Sequence, residues 1–145
     1  MMRAAELPHG YPFRFVDTVL AEPDAGFSGG RIRVRVTANS RAAMGEMWQS
    51  PLLHAEAIAQ AALLLEGGDP ESFRNGFLAG IEGFEVVRAP QAGETLEVRV
   101  RLTARFGAVV RFDGEVFSEG EPIARGAILV RKGEEPAAPA ASTPP

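Results

Sequence analysis

Glu56 and Gln60 stand four residues apart inside the run PLLHAEAIAQAALLLE, residues 51–66. In a helix that spacing puts both side chains on one face. A carboxylate set among alanines and leucines loses hydration, which favours its protonated form and raises its pKa towards neutrality, as a general acid requires. Gln60, one turn on, is placed to orient that carboxyl or to touch a substrate. The plain alternative is that Glu56 faces a solvent gap or accepts a hydrogen bond from another subunit. His54 precedes Glu56 by two residues, about 200° around a helix, so the two are not expected to form a dyad within one chain. It is read instead as packing against a neighbour or solvent. His9 lies in Leu7-Pro8-His9-Gly10-Tyr11-Pro12-Phe13, where two prolines enforce an extended segment, and it serves either structure or proton transfer. The N–H groups of Leu52 and Leu53 open the helix at the positive end of its dipole, where they can polarise a carbonyl.

These residues need a frame. Ser50-Pro51 reads as an N-cap followed by the residue best suited to the first helical position, and Gly67-Gly68 reads as the stop. The helix between them is apolar nearly all round, so it is expected to be buried on most sides. Before it, Tyr11 to Ala21 reads as a strand, and Arg31 to Val36 alternates strictly, with Ile32, Val34 and Val36 on one face and arginines on the other. After it, strands are expected over 77–87, 95–106, 108–118 and 122–131, joined by short turns at PQAG, Gly107 and EGE. Short connections imply antiparallel pairing. One buried helix and a long antiparallel sheet give an α+β architecture, the sheet curling around the helix. The arginines at 31, 33, 35, 99 and 101 read as a solvated outer face or, alternatively, a patch for an acidic partner. Trp48 is placed to wall an apolar pocket or to cover the helix end, and Phe77, Phe84, Phe106, Phe112 and Phe117 to fill the core or an interface.

The chain has 145 residues, enough for one domain, here expected over residues 5–132. The tail at 133–145, GEEPAAPAASTPP, lacks large apolar residues and is expected to be disordered. Cysteine is absent, which excludes thiolate metal sites, disulfides and a cysteine nucleophile; two histidines make a histidine-rich metal site improbable. A formal charge of −4 and a pI near 5.2 argue against nonspecific nucleic-acid binding. No apolar run approaches the ~20 residues of a membrane span, and MMRAAELPHG lacks the apolar core of a signal peptide, so a cytoplasmic location is expected. The GxGxxG, P-loop, HExxH and GxSxG patterns are all missing.

Three blocks carry a resemblance. LPHGYPFRFVDTVL (7–20) resembles the opening of the hotdog-fold 3-hydroxyacyl-acyl-carrier-protein dehydratases of the FabZ type. LLHAEAIAQAA (52–62) is similar to their central-helix signature, and FLAGIEGFEVVRAPQAGETLEV (77–98) to the strand and bend that follow. The resemblance implies a hotdog fold and a homodimer joined through edge strands, with two active sites at the dimer interface and no metal or redox cofactor. It implies a substrate carried as a thioester on acyl carrier protein or coenzyme A, its acyl chain in an apolar tunnel beside the helix. In such enzymes one subunit's histidine takes the C2 proton and the partner's carboxylate helps expel the 3-hydroxyl as water. Glu56 matches that carboxylate and Gln60 the family's glutamine, while Leu52, Leu53, Trp48 and Phe77 fall where substrate would lie.

The sequence departs from the family at two places. The loop before the helix, residues 41–50, holds no histidine, and Ser50-Pro51 replaces the usual Pro-Gly, so the N–H of that glycine is missing. Some dehydratase-like relatives, such as those of aryl-polyene pathways, resemble this combination. The expectation is therefore a site rebuilt from Glu56 as acid and His9 as base. The rivals are an acyl- or carrier-binding hotdog, an inactive half of a heterodimeric dehydratase, and a hotdog thioesterase in which Glu56 activates water.

Overall fold

The computed structural model describes residues 15–21, 31–37, 50–66, 77–91 and 93–133. Six strands and one helix follow in the order β1 (Val16–Ala21), β2 (Arg31–Thr37), α1 (Pro51–Glu66), β3 (Phe77–Val86), β4 (Thr95–Phe106), β5 (Val109–Ser118) and β6 (Glu121–Arg131). The strands form one sheet in the order β1-β2-β4-β5-β6-β3, and every neighbouring pair is antiparallel. His9, Trp48, the start of the first expected strand and, apart from Gly133, the tail lie outside the described residues.

Alternation decides which face of each strand meets the helix. Leu96, Val98 and Val100 of β4 are buried, as are Val110, Phe112, Gly114 and Val116 of β5. Arg33, Arg99 and Arg101 lie on the opposite face, exposed, as the alternating sequence requires. There Arg99 meets Glu97 at 2.7 Å and sits over the Phe117 ring, and Arg101 meets Asp113 at 3.6 Å. At the end of the same face Phe77 and Phe106 are exposed rather than buried, while Phe112 is core.

The turns are tight. Ser118 pairs with Glu121 across Glu119-Gly120, both at positive φ (51° and 80°), which is the two-residue turn that suits the twist of a hairpin. A second corner is fastened by side chains. Glu94 accepts from the buried Ser118 hydroxyl at 2.8 Å and from Arg88 at 3.1 Å, tying the β3–β4 bend to the end of β5.

The helix α1 lies in the concavity of the sheet. His54, Ala55, Ile58, Ala61, Ala62 and Leu64 are essentially inaccessible, so it is enclosed on most sides. Gly114 lets it approach closely: a Cβ there would stand 2.6 Å from the Ile58 side chain. β3 is a sheet edge with Leu78 and Ile81 more than one third exposed.

Candidate active site

Ser50 caps α1, its Oγ accepting the Leu52 N–H at 3.2 Å. The sequence leaves Leu52 and Leu53 as possible donors to a ligand; the structure engages the first of them locally, and Pro51 has no N–H to give. Leu53 is buried and Leu52 is 62% exposed. His54 is fully buried in the next position, away from solvent.

Glu56 and Gln60 form the polar centre of the helix. Gln60 is fully buried and Glu56 partly so. The Gln60 Oε1 accepts the Phe15 N–H at 2.8 Å and the Val16 N–H at 3.4 Å, where the chain enters β1. Two backbone donors settle which end of the amide is oxygen, since an amide NH₂ cannot accept them. The Nε2 end is thereby aimed at Glu56 and donates to its Oε1 at 3.0 Å. A continuous hydrogen-bonded path therefore runs from the backbone of residues 15–16 through Gln60 to one oxygen of Glu56. Sequence spacing shows the Glu56–Gln60 pair; it carries no sign of the contact with Phe15, which spans 45 residues.

Leu52, Glu56, Ala59 and Leu63 are among the helix residues short of full burial. They recur at i, i+4, i+7 and i+11, which makes a single stripe. The carboxylate thus interrupts an otherwise apolar strip that is only partly covered. Phe77, at the start of β3, is 57% exposed on the outer face, as its pairing with Arg131 and the row Arg131–Val109 dictate. It stands across the sheet from this strip. Among the described residues, no cluster of three or more His, Asp or Glu stands ready to hold a metal ion.

A helix wrapped by an antiparallel sheet defines the hotdog class, and a solved structure shares this fold. The dehydratase heterocomplex ApeI:P from Xenorhabdus doucetiae superposes with a TM-score of 0.72 over 93% of each chain, at 18% identity. No protein-family model matches the chain. Among curated proteins, the 3-hydroxyacyl-acyl-carrier-protein dehydratase FabZ of Rickettsia massiliae is 33% identical over 122 residues, 79% of this chain and 82% of the relative. That of a Polaromonas species is 35% identical over 129 residues, 82% and 86%. The chain belongs to the FabZ family of 3-hydroxyacyl-acyl-carrier-protein dehydratases.

Proposed function

We propose that the chain dehydrates 3-hydroxyacyl thioesters borne by acyl carrier protein or coenzyme A, giving the trans-2-enoyl product. The observation that carries this reading is the Gln60 tether on Glu56, in a chain of this family. Because Glu56 Oε1 accepts from Gln60 at 3.0 Å, the acidic proton is assigned to Oε2. Glu56 then protonates the departing 3-hydroxyl while a base removes the C2 proton, and the electron pair of the C–H bond becomes the new C2–C3 π bond. Negative charge builds on the thioester oxygen, and the N–H of Leu53 is the first-turn donor assigned to it, since Leu52 serves Ser50.

His9 is the proposed base. It precedes Phe15 by six residues, a span of at most about 20 Å, and Phe15 is anchored on Gln60. Trp48, Leu52 and Phe77 are assigned to the surroundings of the substrate, with Phe77 acting on a partner's side because it lies across the sheet from Glu56. The working unit is residues 5–132, as a dimer of this chain or with another hotdog subunit, in the cytoplasm. No described helix is long and apolar enough to cross a membrane.

A second reading has its own support. With Pro51 lacking an N–H and Leu52 engaged by Ser50, the helix start offers fewer donors to a thioester than a Pro-Gly start does. On that reading the protein binds the acyl carrier without turning it over. Mass spectrometry of a 3-hydroxyacyl-carrier panel separates the two. Loss of one water with wild type, abolished in Glu56→Gln and His9→Ala, is the expected result. Loss of turnover in Glu56→Gln alone reassigns the base, and an intact bound carrier with no turnover favours the second reading.

A further inference from the structure

The winding of α1 decides which of its side chains a ligand can reach. Between Leu53 and Leu64 every residue is buried except Glu56, Ala59 and Leu63. At about 100° per residue, these three and the exposed Leu52 fall within an arc of about 60°, so accessibility follows one stripe. Leu65, also short of full burial, stands on the opposite side of the helix. Ile58, about 200° round from Glu56, is spent on packing: it fills the space above Gly114, where a Cβ would stand 2.6 Å from it. On the neighbouring strand β6, Gly126 faces a bulge of β3, in which Gly83 (φ 58°) and Phe84 together oppose it, and the Phe84 ring fills the space above that glycine. A ligand that reaches Glu56 along the helix therefore follows the stripe.

The stripe has a direction and a graded relief. The thioester oxygen is assigned to the first-turn N–H of Leu53, so with C3 at Glu56 the rest of an acyl chain runs towards the helix C-terminus. Ala59 comes first, about 4.5 Å further along the axis, and presents only a methyl group. Leu63 follows at about 10 Å, roughly eight carbons of an extended chain beyond C3. Its side chain leans back towards the helix N-terminus, and so towards the oncoming chain. Leu63 also packs against the buried core, which holds it in place.

We propose that Leu63 limits acyl-chain length in this site, while the low step at Ala59 leaves room for chains of medium length. The inference rests on the thioester reading of Glu56. Chains of up to about eleven carbons end before Leu63 and lie along the stripe; longer ones meet its branched end. The helix then acts as a ruler. Enlarging Ala59 brings the stop about five carbons nearer, and trimming Leu63 moves it away.

The test uses the full chain as wild type, Leu63→Ala, Leu63→Val, Ala59→Leu and Leu65→Ala. For each, kcat/KM is measured with 3-hydroxybutyryl, 3-hydroxydecanoyl and 3-hydroxyhexadecanoyl carriers, and calorimetry reports binding of unreactive thioether analogues of the same chains. Wild type is expected to turn over butyryl and decanoyl and to fall away at hexadecanoyl. Leu63→Ala is expected to raise the hexadecanoyl-to-decanoyl ratio roughly tenfold or more, with Leu63→Val in between. Ala59→Leu is expected to lower the decanoyl-to-butyryl ratio by roughly the same factor. Leu65→Ala trims the same side chain on the opposite side of the helix and leaves the profile as in wild type, which separates position from loosened packing. An unchanged profile in folded Leu63→Ala overturns the proposal, as does an equal shift in Leu65→Ala or a wild type that prefers hexadecanoyl. If Leu63→Ala does not fold, Leu63→Val reads the same ratio. If wild type turns over none of the chains, the dehydratase reading fails, and thioether binding decides: a shift towards longer chains in Leu63→Ala upholds the role of Leu63, and an unchanged order refutes it.

Discussion

Gln60 spends both ends of its amide inside the protein, and its removal has two separable consequences. Gln60→Leu strands the Phe15 N–H in a buried setting, which costs about 1–3 kcal/mol, read as a lowered midpoint in urea unfolding. It also releases Glu56 Oε1, so kcat falls while KM changes little, the pattern of a group that positions the acid without binding substrate. Glu56→Gln is different: turnover drops by about 10²–10⁴ with the melting temperature held near wild type. A Gln60→Leu protein with unaltered kcat would show that the tether is structural only. At this scale the sequence was readable in part. The i, i+4 pair announces itself, whereas the destination of Gln60 Oε1 does not, because backbone donors have no sequence signature.

At the scale of elements, packing of α1 on the sheet depends on Gly114. A Cβ 2.6 Å from Ile58 forces the helix or its side chain to move, so Gly114→Ala costs about 1–3 kcal/mol. Adding Ile58→Ala relieves the overlap, and a double-mutant cycle of unfolding free energies shows strong coupling; simple additivity would contradict the contact. The bend before β4 depends on Glu94. Burial works to raise its pKa, but hydrogen bonds from Ser118 and Arg88 and the Arg88 charge outweigh that and hold it below the ordinary 4.5. A carboxyl depressed in the folded state stabilises above its unfolded pKa and loses that contribution as pH falls through the folded one. Stability therefore drops below about pH 4.5. Glu94→Gln lowers stability at neutral pH and shrinks the acid drop without abolishing it, because Glu97, hydrogen-bonded by Arg99, is depressed too. An acid limb identical to wild type would remove Glu94 from the account. Strand positions and the N-cap were legible from alternation and from Ser50-Pro51. The β3 bulge was not, since Gly83 in sequence reads equally as a flexible strand residue.

At the scale of the whole molecule, β3 is an edge with exposed Leu78 and Ile81 on its concave-facing side and open hydrogen-bonding groups along its length. The dimer proposed above would cover this edge by pairing it with a second hotdog subunit. Light scattering is expected to give a dimer for wild type and a monomer for Ile81→Lys, with turnover lost in the monomer if a site needs residues from both subunits. A monomeric wild type with full activity would place a complete site within one chain.

Period and punctuation in the sequence suffice for the α+β class, the strand order along the chain and the helix that bears Glu56, because alternation and capping are local properties of the chain. The FabZ relationship was also legible, from three short blocks. What only the tertiary structure decided is which groups meet. Gln60 finds Phe15, and Phe84 settles over Gly126. Both contacts join residues distant in sequence. They are set by the register of paired strands and the height of a glycine floor, quantities that exist only once the sheet has closed on the helix.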